Sequence, residues 1–105
     1  MASGIQSGTA LTANTPAQIY SGPTAGQTGT ANVTFTNTNT SGSVAISLAH
    51  RADGTLAAGY RLLYNYPLGA NQSYEKSGIV VANTQGLVAQ AAAAGVDVVV
   101  YAFEG

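Results

Sequence analysis

Charged side chains are scarce in this sequence. Of its 105 residues only three are Lys or Arg and four are Asp or Glu, so charged residues make up 7%, whereas an average soluble domain carries about 25%. The three basic residues, Arg51, Arg61 and Lys76, are too few and too scattered to neutralise the phosphates of a nucleic acid. The composition therefore argues against a nucleic-acid partner.

Cysteine and tryptophan are absent, and there is a single histidine. Without cysteine, the chain cannot build a disulfide scaffold, a thiolate metal site or a cysteine nucleophile. One histidine and four dispersed carboxylates do not supply the three or four converging ligands of a metal site, and neither glycine-rich phosphate-binding motif occurs. We therefore expect no catalytic residues, no metal and no cofactor, and a protein that is not an enzyme.

Long hydrophobic runs are also missing. The longest uninterrupted apolar stretches, 79–82 and 98–103, are far shorter than the roughly 20 residues of a membrane helix. The first eight residues contain neither the basic nor the apolar region of a secretory signal. These features predict a chain made in the cytoplasm, with no membrane partner.

The polar surface must instead come from Ser, Thr, Asn, Gln and Gly. Neutral polar groups cost less to desolvate than charges, so such a surface suits a protein that is packed against neighbours. The alternative is a small neutral domain from an organism whose proteins carry little charge. Apolar residues make up 46% of the chain, which argues against intrinsic disorder.

Apolar residues recur at every second position in several short runs. Val33 and Phe35 alternate with polar residues, and Val44, Ile46 and Leu48 form a second run of the same kind. Such alternation predicts β-strands. Seven or eight short strands separated by turn formers predict an all-β fold, either an antiparallel sandwich or a small barrel. Of these we expect a single antiparallel β-sandwich of the immunoglobulin-like or jelly-roll-like kind.

Two connections can be assigned from their turn residues. Ser41-Gly42 lies between two alternating runs and predicts a tight hairpin. Residues 91–94 are all alanine, but four residues cannot hold an isolated helix, so we expect a turn before Gly95. We expect residues 1–8 to form a flexible N-terminal arm and residues 9–105 to form the sandwich.

The last predicted strand is apolar on both faces. Val96, Val98, Val100 and Ala102 occupy one face, which we assign to the interior. The opposite face carries Val99, Tyr101 and Phe103. A strand that is apolar on both sides is covered on both sides, either by another subunit or by another element of the same chain, such as the N-terminal arm. The candidate protein interface is therefore Val99, Tyr101 and Phe103, together with Ala2, Ser3 and Ile5 of the arm.

Four of the six tyrosines lie between residues 60 and 74. Tyr60, Tyr64 and Tyr66, with Asn65 between the last two, could form a glycan-binding or partner-binding surface, because tyrosine combines a large apolar area with a hydrogen-bonding tip. The alternative is that half of the tyrosines complete the core. We interpret His50 as a polar residue at the end of a strand, since no nucleophile motif accompanies it.

Three stretches carry a resemblance to a known group of proteins. They are TALTANTP at 9–16, LYNYPLGANQS at 63–73, and GIVV at 78–81, which leads to the valine-rich last strand. Together they resemble the small β-sandwich virion proteins of tailed bacteriophages, over most of the chain from about Thr9 onward. In that group a turn of the PLGANQS kind and a strand of the GIVV kind precede the final strand.

The resemblance implies a non-enzymatic structural role in a phage particle. The leading expectation is a capsid decoration (cement) protein that stabilises the shell through multivalent contacts. The alternative is a tail-tip, neck, baseplate or fibre-associated protein, with host-glycan binding through the surface tyrosines as an additional option. The expected partners are copies of the chain itself, with a trimer favoured, and a major capsid or tail protein. The expected location is the virion.

Overall fold

The structure, a computed structural model, describes residues 4–105, with the side chains of Ile5 and Gln6 outside that description. This part of the chain contains eight β-strands and no helix. The prediction of an all-β fold with seven or eight strands is confirmed. In chain order the strands are β1 (Gly4–Ala10), β2 (Ala17–Tyr20), β3 (Thr28–Asn37), β4 (Val44–Ala49), β5 (Arg61–Leu68), β6 (Ser73–Ala82), β7 (Leu87–Ala91) and β8 (Val96–Glu104).

The strands form two antiparallel sheets of four. Sheet A has the order β1-β8-β3-β6, and sheet B has the order β2-β7-β4-β5. Buried side chains from both sheets form one hydrophobic cluster, which is the arrangement of a β-sandwich. Among the described strands, β4 and β5 are the only consecutive pair within one sheet. Every other connection crosses from one sheet to the other.

Alternate residues of the central strands build the interior. In β3 and β8 every second side chain is buried, as the sequence pattern predicts, whereas β4 is buried at every position except Ala45. Strand β5 departs from this pattern because it is an edge strand with two register shifts against β4. In β5 only Leu68 is buried, with Leu63 packed partly against the cluster. The buried side chains of β3, β4 and β8 include Val33, Phe35, Val44, Ile46, Leu48, Val96, Val98, Val100 and Ala102.

The connection between β3 and β4 is not the predicted hairpin. Strand β3 lies in sheet A and β4 in sheet B, so residues 38–43 cross between the sheets. The buried Asn37 side chain holds this crossing. Its Nδ2 donates to the carbonyl oxygens of Gly42 at 3.2 Å and Leu68 at 2.9 Å. Its Oδ1 accepts from the backbone N–H of Asn39 at 3.0 Å and from the Asn39 side chain at 2.9 Å. The hairpin prediction at Ser41 was therefore wrong, whereas the turn at 92–94 before β8 is confirmed.

The N-terminal segment differs from the expected arm. The boundary predicted at residue 8 falls inside β1, which pairs with β8 along Gly4–Ala10, with a register shift between Ile5 and Ser7. The pairing satisfies backbone N–H and C=O groups along one side of β8. Backbone pairing of this kind leaves no mark on the apolar pattern of the sequence. Ala2 and Ser3, two of the predicted interface residues, lie outside the described residues.

A buried carboxylate lies near the end of β8. Tyr20 and Glu104 are both buried, and the Tyr20 hydroxyl donates to Glu104 Oε2 at 2.6 Å. The backbone N–H of Thr24 is 3.4 Å from Glu104 Oε1. Burial raises the pKa of Tyr20 well above its ordinary value, and the hydrogen bond to Glu104 and its negative charge raise it further. The phenol is therefore held in its neutral form.

We expect this pair to make the fold sensitive to alkali. Because the pKa of Tyr20 is raised in the folded state, the stabilisation is fully present below the ordinary value of 10.0 and is lost as the pH rises above it. Urea denaturation at about pH 8 and at about pH 11 measures the change in the free energy of unfolding. Tyr20→Phe has no phenol to ionise at this position, so its loss between the two pH values is smaller than that of the wild type. Equal losses would contradict this reading.

Candidate contact surfaces

The outer face of sheet A carries three of the seven exposed large hydrophobic side chains among the described residues. Phe103 on β8 is 76% exposed, Tyr101 is 44% exposed, and Val80 on β6 is 60% exposed. In the strand register Phe103 lies opposite Thr30, and Thr30 lies opposite Val80, so these three residues form one row across β8, β3 and β6. Two of the three large side chains predicted for the interface are therefore open to solvent.

The next row continues this surface. Tyr101 lies opposite Asn32 on β3 and opposite Ile5 on β1. The Asn32 side-chain oxygen accepts the backbone N–H of Gly78 at 3.0 Å, which fixes the side chain at the bulge of β6. A shallow depression of about 90 Å³ lies between Tyr101 and Phe103. A neighbouring side chain could enter this depression.

Val99 and the acidic residues mark the opposite end of the face. Val99 is partly buried and shares a row with Thr34 and Glu75. Asp97 lies in the row beyond it. The outer face of sheet A is thus graded, with aromatic and aliphatic side chains at one end and two carboxylates at the other.

The alternative cover by the N-terminal segment does not occur in the described residues. Strand β1 lies beside β8 as its neighbour in sheet A and pairs with it through the backbone. It therefore extends the sheet and leaves Tyr101 and Phe103 exposed.

The residues of the predicted tyrosine surface have different contacts in the structure. The ring of Tyr66 packs against that of Tyr74 on β6, with centroids 4.7 Å apart, and so joins the two sheets at their edge. Asn65 has a left-handed backbone conformation with φ of 50°, and its N–H donates to Ser47 Oγ at 3.0 Å. Tyr60 and Tyr64 are each about half exposed and are each stacked by an arginine. All three tyrosines of the predicted surface are exposed, but their rings have different partners, and the proposed binding surface stays a prediction.

A polar groove runs beside Tyr60, and we call it the His50 groove. It consists of two adjoining depressions of about 260 and 300 Å³, and both are lined by His50, Tyr60 and Gln85. The guanidinium carbon of Arg51 lies 4.5 Å from the centre of the Tyr60 ring. That of Arg61 lies 4.0 Å from the centre of the Tyr64 ring. This groove could not be predicted from the sequence, since Gln85 is remote from His50 along the chain.

Asp53 has partners that keep it from acting on His50. It forms an ion pair with Arg51 and accepts from the Thr55 hydroxyl at 2.7 Å and the Thr55 N–H at 3.1 Å. The hydrogen bond from Arg51 is the main reason that the pKa of Asp53 lies well below its usual range, with Thr55 adding to it. His50 Nε2 is instead 3.0 Å from Gln85 Oε1. The histidine-carboxylate pair of a general base is therefore not formed in this arrangement.

Three further observations complete the description of possible sites. Within residues 4–105 no group of three or more His, Asp or Glu side chains could hold a metal ion. None of the described residues forms a helix that could cross a membrane. Comparison with protein-family models and with curated proteins finds no match to this chain.

Proposed function

We propose that this chain is a non-enzymatic structural protein of a bacteriophage virion, a capsid decoration protein that stabilises the shell through many weak contacts. The observation that carries the proposal is the uncovered apolar end of the outer face of sheet A, at Tyr101, Phe103 and Val80. Contiguous apolar surface of this kind marks an interaction site on a soluble domain. The scarcity of charge in the chain points the same way.

The graded face suits contact between copies of this chain. A two-fold or three-fold axis near Phe103 brings the apolar ends of neighbouring copies together. The same arrangement keeps the carboxylates of Asp97 and Glu75 apart, because the acidic ends then point away from the axis. Self-association through this face is therefore free of like-charge contacts, and the threefold case agrees with the trimer expected from the sequence.

The size of the face explains why many copies are needed. Four strands of about nine residues cover roughly 30 by 19 Å, or about 570 Å² for each partner. A standard stable interface buries about 800 Å² for each partner. One contact of this kind is therefore weak, and firm attachment to a shell requires several contacts at once.

Copy number in purified particles tests the proposal. Quantitative mass spectrometry of phage particles that carry this chain should find hundreds of copies per particle, as expected for a head position. About a dozen copies or fewer would instead favour the runner-up, a tail-tip, neck, baseplate or fibre-associated position. If the chain is missing from particles produced in cells that express it, the virion role is wrong in either form.

A further inference from the structure

The His50 groove concentrates most of the positive charge of the chain. The sequence has three Lys and Arg residues and one histidine, and Arg51, Arg61 and His50 all line this groove. Its acidic residue, Asp53, is already paired with Arg51. Among the described residues Arg61 has no carboxylate partner, so the groove presents one uncompensated cation.

Arg61 is held in a position from which it can bind an anion. Its guanidinium stacks on the Tyr64 ring at 4.0 Å, and its Nε is 3.4 Å from the carbonyl oxygen of Leu56. These contacts engage one face of the guanidinium and its Nε, and no hydrogen bond from the described residues engages the two terminal nitrogens of this exposed side chain. A stacked guanidinium with free terminal nitrogens is well suited to bidentate binding of a carboxylate.

The hydrogen bonds of Gln85 determine which donors and acceptors Gln85 and His50 can present to a ligand in the groove. The Ala82 N–H donates to Gln85 Oε1 at 3.0 Å, which fixes the orientation of the amide. Because the same oxygen contacts His50 Nε2 at 3.0 Å, His50 donates from Nε2 in that contact. A neutral His50 ring therefore keeps Nδ1 as an acceptor, and Gln85 keeps its NH₂ group as a donor. Donors and acceptors side by side match the hydroxyl groups of a sugar.

Tyr60 supplies an apolar wall between these polar groups. The ring is 52% exposed, with Arg51 stacked against it. Leu62 lines the same depression. Sugar rings carry apolar C–H faces beside their hydroxyl groups, so an aromatic wall with flanking polar groups is the pattern expected of a saccharide pocket.

We propose that the His50 groove binds an acidic saccharide, with the sugar carboxylate on Arg61, the sugar ring against Tyr60, and hydroxyl groups on His50 and Gln85. A polynucleotide does not fit, because one uncompensated cation cannot offset a row of phosphates. The groove lies at one end of sheet B, among the connections between its strands, and it shares no residue with the outer face of sheet A. It is therefore independent of the assembly role proposed above.

Titration followed by two-dimensional ¹H–¹⁵N NMR of the full chain tests this proposal. Methyl β-D-glucuronide should shift the backbone amide signals of His50, Tyr60, Arg61 and Gln85, with a Kd in the range of about 1–10 mM. Methyl β-D-glucoside, which has the same ring without the charge, should bind at least about tenfold more weakly. No shift with glucuronide at about 50 mM would overturn the proposal.

Variants and a second anion separate the parts of the site. Arg61→Gln should bind the glucuronide only as weakly as the glucoside, whereas the matched control Lys76→Gln should bind it as the wild type does. Tyr60→Ala should weaken both sugars, and a dispersed spectrum verifies that each variant is folded. If Arg61→Gln still binds the glucuronide more tightly than the glucoside, Arg61 does not bind the sugar carboxylate. If inorganic phosphate shifts the same signals as strongly as the glucuronide, the groove is a simple anion site and the saccharide assignment is wrong.

Discussion

Asn37→Ala should lower the free energy of unfolding by about 3 kcal/mol. The change removes a fully buried amide that makes four hydrogen bonds. It leaves the carbonyl oxygens of Gly42 and Leu68 without this donor, and at the buried Leu68 carbonyl water cannot easily replace it. Each buried polar group left unsatisfied costs about 1–3 kcal/mol. Urea denaturation monitored by circular dichroism measures the effect.

Two further variants make this prediction specific. Asn83→Ala, at an exposed turn position, should change the free energy of unfolding by less than about 0.5 kcal/mol. Asn37→Asp preserves the shape and the acceptor but loses the donor to Gly42 and Leu68, so it should remain clearly destabilised. If Asn37→Ala is as stable as Asn83→Ala, the crossing from sheet A to sheet B is not held by this side chain.

Phe103→Thr should weaken self-association at least about tenfold while leaving the fold intact. Phe103 is 76% exposed, so its substitution by another strand-forming residue removes little from the core. Aromatic residues at the centre of an interface carry a large share of the binding free energy. Sedimentation velocity over a concentration series measures the association, and Tyr101→Thr should show the same direction of change.

Tyr64→Thr is the matched control for Tyr101→Thr. Both tyrosines are about half exposed, but Tyr64 lies on β5 of sheet B, away from the outer face of sheet A. Tyr64→Thr should therefore associate as the wild type does. Equal weakening by the two variants would mean that association is governed by general surface hydrophobicity and not by this face.

Much of the sandwich can be predicted from residue alternation alone. In β3 and β4, Val33, Phe35, Ile46 and Leu48 alternate with other residues and are fully buried in the structure. The pattern fixes which side of a strand faces inward, because successive side chains point to opposite faces. It does not fix which strands are neighbours. Ser41-Gly42 carries the turn chemistry of a hairpin, yet the Asn37 amide directs the chain into the other sheet.

The two candidate sites also differ in whether they could be predicted from the sequence. Tyr101 and Phe103 were found from the sequence because their strand is apolar on both faces, and that signal is local. The His50 groove could not be found in this way, since His50, Tyr60 and Gln85 come together only through the pairing of sheet B and the connections at its end. Likewise, the contact of Tyr66 with Tyr74 across the two sheets could not be predicted from the sequence, because the two residues lie on different strands.

Hydroxyl-radical footprinting tests the central claim most directly, because it reports the solvent exposure of individual aromatic side chains. The dilute isolated chain is compared with the same chain in purified particles. We predict that Phe103 and Tyr101 become strongly protected from oxidation in the particle, while Tyr60 and Tyr64 are oxidised equally in both samples. Unchanged oxidation of Phe103 and Tyr101 would contradict the claim that the outer face of sheet A is where this protein meets its neighbours.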